Sequence, residues 1–241
     1  MKCVIHGSGG VGGYYGGCLA RAGHEVFFIA RGAHLDAIQK QGLSIKSAKG
    51  DFRIETPKSG ERCDPNFDPD LVIVAVKSWQ LPEITEEIKN YCTPSTLILP
   101  LQNGADASDI LADTLGPERV LGGLTKIFSK IEAPGVINHF TGATYIGFGE
   151  YFQDPQFQNA PDSLSDRCRN LEKELDSTPG IDAEAFVDIQ KELWRKMLIF
   201  VSTSGVGTIT RSPNGVFRSI PETREMLIRL IREILIVGQA K

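Results

Sequence analysis

The sequence lacks what would place it in a membrane, on nucleic acid or around a structural metal. Its longest apolar runs, such as residues 71–76, fall far short of the roughly 20 residues that cross a bilayer. The amino terminus has no signal-peptide layout, because Met1-Lys2-Cys3-Val4-Ile5 runs straight into glycines. Positive charge is not in excess: 26 Lys and Arg against 30 Asp and Glu give a net charge of −4, which removes the electrostatic case for nucleic acid or an anionic membrane. Cys3, Cys18, Cys63, Cys92 and Cys168 form no Cys-x-x-Cys pair, and no histidine sits at ligand spacing, so no zinc site is expected. An odd number of widely spaced cysteines reads as reduced thiols in a cytoplasmic protein rather than a disulfide framework. There is neither an internal repeat nor a low-complexity tract. What remains is an ordinary soluble composition, 41% hydrophobic over 241 residues, enough for one large domain or two smaller ones.

Short apolar runs alternate with helical patterns over the first two-thirds of the chain. Strands are expected at residues 2–6, 25–30, 71–76, 96–101 and 120–126. Helices are expected at 10–22, 34–41, 81–91 and 107–115. Such alternation predicts a doubly wound parallel sheet with helices on both faces. Residues 136–139 and 144–148 are β-branched and aromatic, and Thr141-Gly142 reads as the turn of an antiparallel hairpin closing that sheet. Residues 153–163, polar with two prolines, read as a surface loop, followed by a polar-faced helix over 164–175.

Beyond Thr178-Pro179-Gly180 the pattern turns almost wholly helical. Phe186, Ile189, Leu193, Met197 and Phe200 recur at steps of three and four as an apolar stripe, and a second helix starts after Pro221. The boundary is expected near residue 183, with an α/β domain over 1–183 and a smaller all-helical domain over 184–241. Two helices bury little surface. The helical domain therefore reads as continuing past Lys241 or as leaning on a partner, a second copy of the chain being the candidate.

Gly7-Ser8-Gly9-Gly10-Val11-Gly12 is a G-x-G-x-x-G run between a strand and a helix, the context in which that pattern marks a dinucleotide site. Gly7 is expected to make the tight turn, Gly9 to admit the pyrophosphate, and Gly12 to let helix and strand pack closely. The helix amino terminus offers free N–H groups and a positive dipole end to the phosphates. The second strand ends in Ala30-Arg31, where an NAD site would carry an acid for the ribose 2′-hydroxyl. Arg31 can instead pair with a 2′-phosphate, which favours NADP(H). Lys77 and Asn103 follow the third and fourth strands, at the strand ends where an open α/β sheet binds ligands. Lys77 suits a ribose or a substrate anion, and Asn103 suits the nicotinamide or the substrate.

Several of these stretches together resemble the ketopantoate reductases. The glycine run continuing into Gly13-Tyr14-Tyr15-Gly16 and Ala30-Arg31-Gly32-Ala33-His34-Leu35 carry the resemblance. So do Val76-Lys77-Ser78-Trp79-Gln80, Gln102-Asn103-Gly104, Glu192-Leu193-Trp194-Arg195-Lys196 and Ser212-Pro213-Asn214-Gly215, all in the family's order. The resemblance implies NADPH-dependent reduction of 2-dehydropantoate to pantoate on the route to coenzyme A. It implies a Rossmann domain, a helical domain and an active site in the cleft between them. Lys196 matches the family's catalytic lysine, Asn103 and Asn214 its substrate contacts, and Arg31 and Lys77 its cofactor contacts. Spacing alone gives Lys196 a plainer role, an ion pair with Glu192 four residues earlier.

The sequence departs from the family at two places. The family usually carries asparagines one and two helical turns after the lysine, and here Phe200 and Ser204 stand there. Family members also extend beyond residue 241, into a segment that supplies a substrate-binding serine and a late glutamate. The first departure leaves open a relative acting on a more apolar 2-oxo acid. The second leaves open a non-catalytic NADP-binding module.

Overall fold

The computed structural model describes residues 1–152 and 163–240, so the loop expected at 153–163 lies almost wholly outside the described residues. The chain divides into two compact units, Met1–Gln102 with Asp106–Ile189, and Asn103–Ala105 with Gln190–Lys241.

The first unit begins with β1 (Lys2–His6), α1 (Gly10–Arg21), β2 (Glu25–Ile29) and α2 (Gly32–Gln41). Three short strands follow, β3 (Leu43–Ser47), β4 (Phe52–Ile54) and β5 (Lys58–Gly60). Then come β6 (Leu71–Val74), α3 (Leu81–Lys89), β7 (Leu97–Pro100) and α4 (Ala107–Leu115). The strand order β5-β2-β1-β6-β7, parallel throughout, is the expected doubly wound sheet. Alternation along β1 divides the core between its faces. Cys3 and Ile5 pack with Tyr14, Tyr15 and Leu19 of α1, while Val4 packs with Val72, Ile84 and Leu111 on the side of α3 and α4.

A second sheet corrects the expected hairpin. β8 (Leu121–Ala133) and β9 (Val136–Glu150) pair antiparallel around a turn at Pro134-Gly135. They join β3, β4 and β10 (Asp182–Ala185) in the order β10-β9-β3-β4, with β8 on β9. Residues 136–139 and 144–148 are thus one strand, and Thr141-Gly142 lies in a bulge where the register jumps from Ile127↔Thr144 to Ser129↔His139. Gly135, at φ 74°, supplies the left-handed residue that the turn requires. Residues 120–126 bridge to the parallel sheet at Ile98↔Val120 and then run as part of this second sheet. The strands β3, β4, β5 and β10 were not expected. β10 carries the first unit past residue 183 to Ile189, and α5 (Asp166–Asp176) packs on β10.

The two sheets enclose α1, whose residues from Gly12 to Leu19 are all buried. Its small residues make this fit. A Cβ on Gly13 would lie 2.9 Å from Ile137, and one on Gly16 would lie 2.6 Å from Ile5 and Phe28.

The second unit contains most of α6 (Ile189–Thr210), then α7 (Asn214–Ser219) and α8 (Pro221–Gln239). The short α7 was not expected. Val206, Phe217 and Leu227 form its buried cluster, with Leu230 and Ile231 packed against them. Among the described residues no helix is long and apolar enough to cross a membrane.

Candidate functional site

The carboxyl end of β1 delivers the glycine loop in the first unit. Gly7 adopts φ 102°, and a Cβ there would meet Val76 at 2.8 Å, so the turn tolerates no side chain. A Cβ on Gly12 would lie 2.3 Å from the Gly7 carbonyl oxygen and 2.8 Å from Ile5, which is the close helix–strand packing expected of it. Gly9 differs: it is extended at φ −75° and ψ −157°, and a Cβ would meet nothing within 4 Å. The space in front of Gly9 is open to a ligand approaching the backbone.

Gly10 answers to packing, because a Cβ there would sit 2.6 Å from the Ser129 carbonyl oxygen on β8. Val11 is half-buried in the first turn of α1. No side chain caps that helix at its amino terminus. The buried Ser8 and Ser129 hydroxyls have no hydrogen-bond partner among the described residues. An uncapped positive helix end, an open approach at Gly9 and two orphaned hydroxyls fit a bound pyrophosphate.

Arg31 lies two residues past β2 as the N-cap residue of α2, half-exposed. It faces two carboxylates of α3, with Nη1 3.9 Å from Glu83 Oε1 and Nη2 3.7 Å from Glu87 Oε1. Neither pair is close enough to be a tight bidentate contact. Behind them, His6 is buried at the end of β1, 2.9 Å from the Tyr91 hydroxyl and 3.7 Å from Glu87. Burial and then the Arg31 charge lower its pKa to about 4, so His6 is neutral near pH 7.

Lys77 is exposed just past β6, in a turn closed by its own N–H donating to Gln80 Oε1 at 3.1 Å. Its neighbour Val76 is the residue that crowds Gly7, which puts Lys77 beside the glycine turn. Gln102 was not singled out from the sequence. Its Nε2 donates to the Val74 and Val76 carbonyls at 3.0 and 3.1 Å, securing the exit of β6. Its Oε1 is buried with no partner among the described residues. The Gln-Asn-Gly run was the available signal. His34 was likewise passed over as a site residue, although its ring reaches the Ser8 carbonyl.

In the second unit, Lys196 of α6 donates from Nζ to Asn103 Oδ1 at 2.9 Å, across 93 residues of sequence. The Glu192 carboxylate is taken by Arg195, Nη1 to Oε1 at 2.5 Å. Phe200, 43% exposed, and Ser204 lie one and two turns further along the same helix. Asn214 opens α7 and is exposed. Among the described residues no group of His, Cys, Asp and Glu could hold a metal.

Residues 3–151 match the family described as ketopantoate reductase PanE/ApbA, and residues 188–241 match its C-terminal counterpart. The chain belongs to the ketopantoate reductase family. An uncharacterized oxidoreductase of Bacillus subtilis, YkpB, is 32% identical over 98% of the chain and 74% of its own length. The crystal structure of 2-dehydropantoate 2-reductase from Geobacter metallireducens superposes with a TM-score of 0.86 at 26% identity, covering 99% of this chain and 75% of that one. The ternary structure of D-mandelate dehydrogenase with NADH and anilino(oxo)acetate shares the fold, with a TM-score of 0.84 at 22% identity, covering 100% and 74%. Ketopantoate reductase kinship makes the chain a member of an oxidoreductase family.

Proposed function

We propose that this chain is an NADPH-dependent 2-oxo-acid reductase that converts ketopantoate to pantoate, with Lys196 as the proton donor. The observation that carries the reading is the Lys196–Asn103 hydrogen bond. A surface lysine four residues after a glutamate would be expected to serve that glutamate. Here Glu192 is engaged by Arg195, and the ammonium reaches a residue 93 positions away.

The bound dinucleotide would supply the hydride. The Gly9 backbone and the first N–H groups of α1 would hold its pyrophosphate, and Lys77 a ribose. The substrate's ketone oxygen gains negative charge as its carbon is reduced. Lys196 stabilises that charge and transfers one ammonium proton, so ketone plus hydride plus proton gives the alcohol. The Asn103 amide oxygen accepts from Nζ, which orients the ammonium before substrate arrives. Asn214 would take a further substrate contact. Arg31 supports NADPH over NADH through its charge, while Glu83 and Glu87 oppose a 2′-phosphate and reduce the margin.

Phe200 favours a second reading on the substrate side. Residues four apart share a helix face, so an aromatic ring stands next to Lys196 where a polar amide would suit a hydroxylated substrate. That environment suits a 2-oxo acid with an apolar side chain. Following NADPH oxidation across a panel of 2-oxo acids tests both readings. Highest kcat/KM for ketopantoate supports the first, highest kcat/KM for an aromatic or branched apolar acid supports the second, and no turnover with any 2-oxo acid removes both.

A further inference from the structure

His34, in the first turn of α2, sits between two backbone groups that are distant in sequence. Its Nε2 lies 2.9 Å from the Ser8 carbonyl oxygen, and its Nδ1 lies 3.0 Å from the backbone N–H of Gly135. A carbonyl only accepts and an amide N–H only donates. The ring is therefore neutral, with its proton on Nε2. Burial lowers its pKa while the bond to Ser8 raises it, and the net shift is downward, which favours the same neutral form.

Each end of this clip is anchored. The Ser8 N–H donates to the Ile29 carbonyl at 2.9 Å, so β2 holds one side of the residue while His34 holds the other. The Gly135 carbonyl accepts from the Ser44 N–H at 2.9 Å, and a Cβ on Gly135 would lie 3.1 Å from Ala37 of α2. The β8–β9 turn thus has a fixed seat against α2 and β3.

The Ser8 carbonyl belongs to the same planar peptide as the Gly9 N–H, and in a trans peptide the two point in opposite directions. Fixing the carbonyl toward His34 therefore fixes the Gly9 N–H away from it. We propose that His34 is a positioning residue for the dinucleotide loop: it locks the Ser8-Gly9 peptide so that the Gly9 N–H faces the pyrophosphate, and it uses the β8–β9 turn as the anchor. This rests on the reading of the glycine loop as a dinucleotide site.

The test compares wild type, His34→Leu and His34→Gln by calorimetric titration with NADPH and by steady-state kinetics. Loss of the clip lets the peptide rotate and leaves the Ser8 carbonyl unpaired, so His34→Leu should raise the Kd by about tenfold or more. The loss should fall on KM for NADPH rather than on kcat. His34→Gln keeps one donor and one acceptor and should restore most of the affinity. Wild-type affinity in His34→Leu, or no recovery in His34→Gln, overturns the inference. A readout that needs no variant is hydrogen exchange at the Gly135 amide in the wild-type chain, which should slow on saturation with NADPH, and unchanged exchange also overturns it. Wild type that binds neither NADPH nor NADH would instead remove the dinucleotide reading itself.

Discussion

Two glycines three residues apart, Gly9 and Gly12, should fail in opposite ways when each receives a methyl group. At Gly12 the added carbon would lie 2.3 Å from the Gly7 carbonyl oxygen and 2.8 Å from Ile5. Backbone cannot swing aside as a flexible side chain can, so Gly12→Ala belongs at the upper end of overpacking costs, about 3 kcal/mol. For a unit of this size each kcal/mol moves the melting temperature by roughly 2–4 °C, which places the loss at roughly 6–12 °C. At Gly9 the methyl meets nothing within 4 Å, and φ −75° suits any residue. Gly9→Ala should leave the melting temperature of the free chain unchanged or raised by up to about 4 °C, since unstrained Gly→Ala changes are worth about 0.4–1 kcal/mol and tend to stabilise. The same methyl lies where a pyrophosphate would approach the backbone, so the Kd for NADPH should rise by at least about tenfold, or about 1.4 kcal/mol. Differential scanning fluorimetry without ligand and calorimetric titration with NADPH read the two effects separately. A Gly9→Ala chain that binds NADPH as wild type does, or a Gly12→Ala chain that melts as wild type does, would refute the reasoning.

Three further outcomes follow from the same region. Arg31→Ala should weaken NADPH by about 10- to 100-fold while changing NADH little, since a charged hydrogen bond to the 2′-phosphate is what it loses; equal losses in parallel titrations would remove the basis for the preference. Glu83→Gln removes a carboxylate 3.9 Å from Arg31 and should tighten NADPH by up to about fivefold with NADH unaffected, as titrations at low ionic strength would show; weaker NADPH binding would contradict the opposing role given to Glu83. His6 concerns stability. Its folded pKa of about 4 lies below the unfolded 6.5, so the unfolded chain takes up a proton first as pH falls. Stability is full above pH 6.5 and should decline by about 3 kcal/mol toward pH 4. Urea unfolding of His6→Gln should lack that share of the decline, and identical pH profiles for the two chains would contradict the assignment.

Four strands of the parallel sheet, β1, β2, β6 and β7, were legible as short apolar runs alternating with helical patterns, and α4 falls where periodicity put it, at Ala107–Leu115. The strands that went unseen carry little signal of their own. Lys58-Ser59-Gly60 has no apolar residue and is a strand because its backbone pairs with β2. The second sheet was misread at a choice between two turn signals. Thr141-Gly142 was taken as the turn, while Pro134-Gly135 supplied the fixed φ and the left-handed glycine that the real turn uses. In the glycine run, Gly7 was legible as the turn, Gly9 as the ligand approach and Gly12 as the packing position, while Gly10, Gly13 and Gly16 are set by neighbours on β8, β9, β1 and β2 that no local pattern reveals. The role of His34 was hidden for a related reason, since both of its partners are backbone atoms and a sequence names only side chains. At Lys196, the plain reading from spacing assigned Glu192, and the structure gives that carboxylate to Arg195.

The central claim is reduction of a 2-oxo acid with Lys196 as the acid. Steady-state oxidation of NADPH with ketopantoate, comparing wild type with Lys196→Ala at saturating cofactor, tests it most directly. The wild type should turn over, and the variant's kcat should be lower by roughly two to four orders of magnitude. A Lys196→Ala enzyme with the wild-type kcat would contradict it.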